Sequence, residues 1–260
     1  MKFPPNYLVI VLLIFISFTA CKNDNGDDQV EDFKAENRKG LGRSAADLLS
    51  NDTYQGLTVE FVYANGFRPR ESTINTFLDF LAARVVKPDG INLVETVISA
   101  PQGAPFTTEE IRDIEDEFRT KYTVGDEIAV FVFFANGNSD NDTETSVTLG
   151  TAYQNTSIVI YEKTLEELSA SQNIDLGILE INTLNHEFGH LFGLVNILED
   201  DIHTDHEDPN NSKHCVVQDC LMYFETSNTD RAALQLLMNR SAAPEFDPLC
   251  IADLQAKGGL

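Results

Sequence analysis

Residues 185–196 read Asn-His-Glu-Phe-Gly-His-Leu-Phe-Gly-Leu-Val-Asn, and the chemistry in them lies with His186, Glu187 and His190. On a helix, side chains four residues apart share a face, so the imidazoles of His186 and His190 project side by side. Two imidazoles at that spacing are a pair of ligands for one zinc ion, and Glu187 is placed to act on a water held there. Ile178, Ile181, Leu184 and Leu191 recur at helical spacing around the motif. Gly193 can take the positive φ that a sharp helix end requires. A core helix with two satisfied histidines and a surface glutamate is the bland alternative. Two of the chain's five histidines in one such motif favour the metal.

The elements that must position this helix are legible upstream. Leu57 to Ala64 alternates and is rich in β-branched and aromatic residues, as a strand does. Residues 71–86 place Ile74, Phe77, Leu78, Leu81 and Val85 at helical spacing. A second strand covers 91–99. Thr107 and Thr108 before two glutamates open a helix reaching about Tyr122. Residues 127–135 are nearly all apolar, as expected of a central strand covered on both faces. Two short β candidates come next at 148–154 and 157–163, then the motif helix from about Ile174 to Leu191, and a later helix at 229–240. Strands alternating with helices predict an α/β fold: a mostly parallel twisted sheet, an antiparallel edge strand and a small C-terminal subdomain.

The ends and the composition bound the setting. Residues 1–20 read as a signal peptide, because the apolar run from Tyr7 to Phe18 is short for ~30 Å of hydrocarbon. Thr19 and Ala20 before Cys21 resemble a bacterial lipobox, which implies acylation of Cys21 and a membrane anchor. That predicts an outer membrane lipoprotein of the bacterial envelope, with the inner face and the outer surface both left open. Residues 21–55 are expected as an acidic tether and 56–260 as the folded domain. With 42 acidic and 18 basic residues and a net charge of -24, the chain is no nucleic-acid binder. A monomer is expected.

Here the sequence resembles the metzincin metallopeptidases, whose pattern is His-Glu-x-x-His-x-x-Gly-x-x-His followed by a methionine turn. Their last histidine would fall at position 196, where this chain has Asn196. Within that superfamily it is most similar to the archaemetzincins and to Bacteroidetes lipoproteins described as membrane metalloproteases. In archaemetzincins the third histidine is followed by cysteine, four residues, cysteine, one residue and the turn methionine. His214, Cys215, Cys220 and Met222 fall on that pattern, and the likeness spans roughly Leu57 to Gln255. It implies that residues 196–213 are an insertion and that His214 is the third zinc ligand. His206, with Asp208 to orient it, is the rival, and Asn196 or no third ligand remains open. Met222 would pack beneath the metal.

The implied activity is that of a zinc-dependent endopeptidase acting on a protein or peptide substrate, with Glu187 as general base. The rival is a surface lipoprotein that binds a polymer or protein partner and keeps a non-catalytic zinc. The family's second, four-cysteine zinc site would need a cysteine where Asp247 stands. A disulfide among Cys215, Cys220 and Cys250 is therefore expected, with a three-cysteine, one-aspartate zinc site as the alternative. The insertion's six acidic residues permit a calcium ion, but a solvated acidic loop is favoured.

Overall fold

The computed structural model describes Met1, residues 34–223, the strand Asn228–Thr229 and residues 243–260. Cys21, the signal peptide and most of the helix expected at 229–240 lie outside the described residues. Among the described residues no helix is long and apolar enough to cross a membrane.

Among the described residues thirteen elements succeed one another: α1 (Ala45–Leu49), β1 (Gly56–Ala64), α2 (Glu71–Ala82), β2 (Gly90–Ile98), α3 (Thr108–Phe118), β3 (Glu127–Phe134), β4 (Val147–Thr148), β5 (Gly150–Gln154), β6 (Ser157–Ile160), α4 (Glu162–Gln172), α5 (Leu176–Leu191), β7 (Asn228–Thr229) and α6 (Pro248–Ala256). Five strands form one sheet in the order β2-β1-β3-β6-β5. The first four are parallel, and β5 runs antiparallel along β6 as the edge. This is the α/β arrangement the alternation of strands and helices predicts.

Period-two alternation sorts the strand side chains between two cores. Leu57, Val59 and Phe61 of β1 join Ile128, Val130, Val132 and Phe134 of β3 in the core that includes α2 and α5. Val62, Phe131 and Phe133 face the other way, onto Ile111 and Ile114 of α3. Because both faces are covered, β1 and β3 carry apolar side chains at nearly every position. A run of aromatic contacts ties sheet to site: Phe61 meets Phe134 at 4.8 Å and Phe77 at 5.6 Å, and Phe77 meets Phe188 of α5 at 4.8 Å.

The folded part begins earlier than a tether over 21–55 allows. Asn37 is fully buried, donating to Ala129 O at 3.0 Å and Thr123 Oγ1 at 2.9 Å while accepting from Thr123 N–H at 2.9 Å. Leu48 and Leu49 of α1 lie wholly in the core. Helix α4 is likewise absent from the sequence reading, which runs a strand through Lys163. Buried Leu165 anchors it, and it closes at Asn173 in the left-handed conformation (φ 57°).

Candidate metal centre

Every residue of helix α5 from Leu179 to Leu191 is buried. Asp175 caps its start, accepting from Ile178 N–H at 3.2 Å. At its end Gly193 takes φ 72° and donates to His190 O at 3.0 Å, stopping the helix directly after the motif. Gly189 permits a close approach from below. A Cβ there would stand 2.2 Å from Met222 Sδ, so Met222 sits directly under the helix, as a packing residue rather than a ligand.

His186, His190 and His214 converge, each offering one nitrogen within 4.8 Å of the others. The ring centroids are 4.8, 5.3 and 5.1 Å apart. His186 Nε2 and His190 Nε2 are 3.1 Å apart, close to the ~3.3 Å between two nitrogens bonded to one tetrahedral zinc at ~2.0–2.1 Å. His186 Nδ1 donates to Leu221 O at 2.7 Å and His214 Nδ1 to Ser212 O at 3.1 Å, so in each ring Nδ1 is engaged by backbone. Burial pushes His186 down to about 3 and His190 well below the usual imidazole range, so both rings stay neutral and keep their lone pairs. These residues fit a zinc ion.

Glu187 lies between the imidazoles and the edge strand. Its Oε2 accepts from Ala152 N–H at 2.8 Å. Burial pushes its carboxyl up to about 8, with the Ala152 hydrogen bond opposing. A cavity of about 320 Å³ opens here, lined by Glu187, His190 and His214, by Gly150 and Ala152 of β5, and by Lys213 at its rim. A larger cleft of about 530 Å³, between α2 and α5, contains neither these imidazoles nor Glu187.

In the loop that follows α5, Asn196 is engaged by acidic side chains of the same loop. Asn196 takes φ 62°, its N–H donates to Asp201 Oδ2 at 2.5 Å, and its side chain reaches Glu207. It folds the loop instead. His206 stands in a different cluster, its Nε2 held by Asp253 Oδ2 at 2.9 Å. Asp208, read as its orienting partner, instead caps the turn at Asn210 and Asn211. The loop's acidic residues do not gather as calcium ligands: Asp200 and Asp201 pair with Lys257, and Glu207 binds Ser212 and Lys213.

Cys215, Cys220 and Cys250 are buried free thiols, so the expected disulfide is absent among them. They stand together with His206 and Asp247. Asp253, at the hub of that cluster through His203 and His206, is a functional candidate the sequence reading missed.

No protein-family model matches the chain, and no curated relative matches it. Among solved structures the chain is similar to archaemetzincin from Methanopyrus kandleri, with 15% identity and a TM-score of 0.49, over 79% of this chain and 96% of that one. It is also similar to a zinc-dependent peptidase from Methanocorpusculum labreanum, with 13% identity and a TM-score of 0.44, over 75% of this chain and 99% of that one.

Proposed function

We propose that the protein is a zinc metalloendopeptidase, with His186, His190 and His214 as metal ligands and Glu187 as general base. The observation that carries this reading is the convergence of three imidazoles beside a buried carboxyl group, with His190, His214 and Glu187 lining one cavity. When bound, zinc supplies a Lewis acid that lowers the pKa of water and polarises a carbonyl. Glu187 takes the proton from the attacking water and returns it to the leaving amine. Its raised pKa suits it to both steps near neutral pH. The outer edge of β5 pairs with an extended substrate backbone, holding the scissile bond over the imidazoles. A structural zinc site has no use for such a base and is closed by four ligands, which argues against a purely binding role. The lipobox-like Cys21 supports an outer membrane anchor for this activity.

The test is to incubate the purified protein with a mixed peptide library, with and without chelator, alongside Glu187→Gln. Chelator-sensitive cleavage that is lost in the variant is expected. Zinc binding without cleavage of any peptide defeats the reading.

A further inference from the structure

The cavity at the histidine centre differs in charge from the rest of the molecule. The chain carries 42 acidic and 18 basic residues. The cleft between α2 and α5 follows that bias, with Asp79, Asp175 and Glu245 on its walls, and a cleft at the start of β1, β2 and β3 carries Asp89, Asp126 and Glu127. The cavity beside the imidazoles does not. Among the described residues that line it, Lys213 is the one charged group besides the candidate base Glu187.

Lys213 is set there by its backbone. It takes φ 68°, a left-handed conformation that is unfavourable for a residue with a Cβ. Glu207 Oε1 holds it, accepting from Lys213 N–H at 2.9 Å and from Ser212 Oγ at 2.9 Å, while Asn196 Nδ2 donates to the other oxygen at 3.4 Å. Glu207 therefore grips the backbone and not the ammonium. Lys39, Lys163 and Lys257 each pair with a carboxylate. Among the described residues the Lys213 ammonium makes no ion pair. The wall beside it is apolar. Leu41 of the N-terminal segment and Ile197 of the loop 196–213 line the same cavity, and the two segments touch: a Cβ on Gly42 would stand 2.7 Å from Ile197 Cγ2. A charge pair formed against such a wall is screened less than one in open solvent.

We infer that Lys213 is a specificity-determining residue, which selects a substrate carrying a carboxylate near the scissile bond. That the ligand is a peptide rests on the function proposed above; the preference for a carboxylate does not. An acidic side chain and a peptide C-terminus present the same anion, and an ammonium on a flexible stem is a point charge that pairs with either. Alternate side chains of an extended chain share a face, so on a peptide laid along β5 an acidic side chain is favoured at one position and not at its neighbours.

The experiment uses the full-length, zinc-loaded chain and short fluorescent peptides on one scaffold. They carry Glu, Gln or Lys at each position in turn, with the C-terminus free or amidated. Cleavage is measured on the unsubstituted chain and binding, by anisotropy, on Glu187→Gln. Glu is expected to be favoured over Gln at one position, or the free terminus over the amide, by roughly 5-fold, the upper range for an ion pair at an exposed rim. The two arms tell a side-chain carboxylate from a terminal one. The preference should shrink as salt rises, a readout that needs no Lys213 variant to fold. Lys213→Gln brings the ratio to about 1, Lys213→Arg restores it, and Lys213→Glu turns it in favour of Lys. Zinc content measured on each preparation separates a lost ammonium from a displaced His214. Equal treatment of Glu and Gln at every position, with equal treatment of the two termini, overturns the inference, as does a chain that binds none of the peptides. So does a Lys213→Gln variant whose kcat falls alike on all peptides with the ratio intact, because Lys213 then acts on the reaction and not on the choice of substrate. Cleavage without charge preference sinks this inference and leaves the peptidase standing; charge-selective binding without cleavage does the reverse.

Discussion

Glu187 Oε2 and the backbone N–H of Ala152 are joined by a 2.8 Å hydrogen bond, which fixes the candidate base against the edge strand. The bond selects one side-chain orientation and leaves Oε1 for the reacting water. Glutamine has the same shape and its amide oxygen can still accept from Ala152. Glu187→Gln should therefore fold normally, keep its zinc and lose activity by about 10²–10⁴-fold, the usual range for a missing general base. Metal content and kcat measured on the same preparation check it; near-normal turnover would falsify the assignment of the base.

Gly150 of β5 leaves no room for a side chain beside that carboxylate. A Cβ at residue 150 would stand 2.8 Å from Thr183 Cγ2 and 2.9 Å from Glu187 Cγ, so either the strand or the base must move. Misplacing a catalytic group by about 1 Å can cost ~10²-fold. Gly150→Ala should lower kcat/KM by roughly 10-fold or more while zinc content stays the same. An unimpaired variant with a displaced β5 would mean that the approach of strand and base has no bearing on catalysis.

His214, His206 and Asn196 are the candidate positions for the third ligand; of the two histidines only His214 shares a centre with the motif histidines, while Asn196 bonds Asp201 and Glu207. His214→Ala should weaken zinc at that centre by more than the ~10–100-fold typical of a lost supporting group. Asn196→Ala removes only the side-chain link to Glu207 and should keep the ion. Competition with a chelator of known affinity ranks the two. A tighter dependence on Asn196 than on His214 reverses the assignment.

How much of this is legible in the sequence depends on how local each feature is. The pairing of His186 with His190, and the place of Glu187 between them, depend only on helical spacing. The sheet is legible from apolar runs long enough to be covered on both faces. The third ligand is ambiguous because the eighteen-residue loop 196–213 holds no periodicity, and its path is set by bonds such as that from Asn196 N–H to the Asp201 side chain. The N-terminal segment hides its packing for a similar reason. Its buried Asn37 is satisfied by partners more than eighty residues away, which composition cannot reveal. Helix α4 is masked by the strand-like residues that run straight into it, and its apolar stripe is short. The three thiols, His206 and Asp247 meet only once α6 and the loop 196–213 are brought together.

Glu162 and Glu180 provide a pH-dependent test of the scaffold behind the site. Both are about 1% exposed, Glu162 in the first turn of α4 and Glu180 on α5. Burial raises Glu162 well above the usual carboxyl range and the charge of Glu180 adds to this, while Glu180 accepts from Thr73 and from Arg70 N–H. Glu162 is thus the member that keeps a proton. A carboxyl whose pKa is raised by folding binds more protons in the folded state than in the unfolded one, so stability falls as pH rises. The fold is least penalised below the ordinary glutamate value of 4.5 and loses stability as pH climbs from there toward the raised value of Glu162. Glu162→Gln keeps a neutral group opposite Glu180 and cannot ionise. It should match the unsubstituted protein near pH 4.5 and exceed its Tm at pH 8, by about 2–4 °C for each kcal/mol recovered. Comparing the two Tm-against-pH curves cancels the general repulsion of a chain with net charge -24. Parallel curves would show that the pair is not the source of the pH dependence.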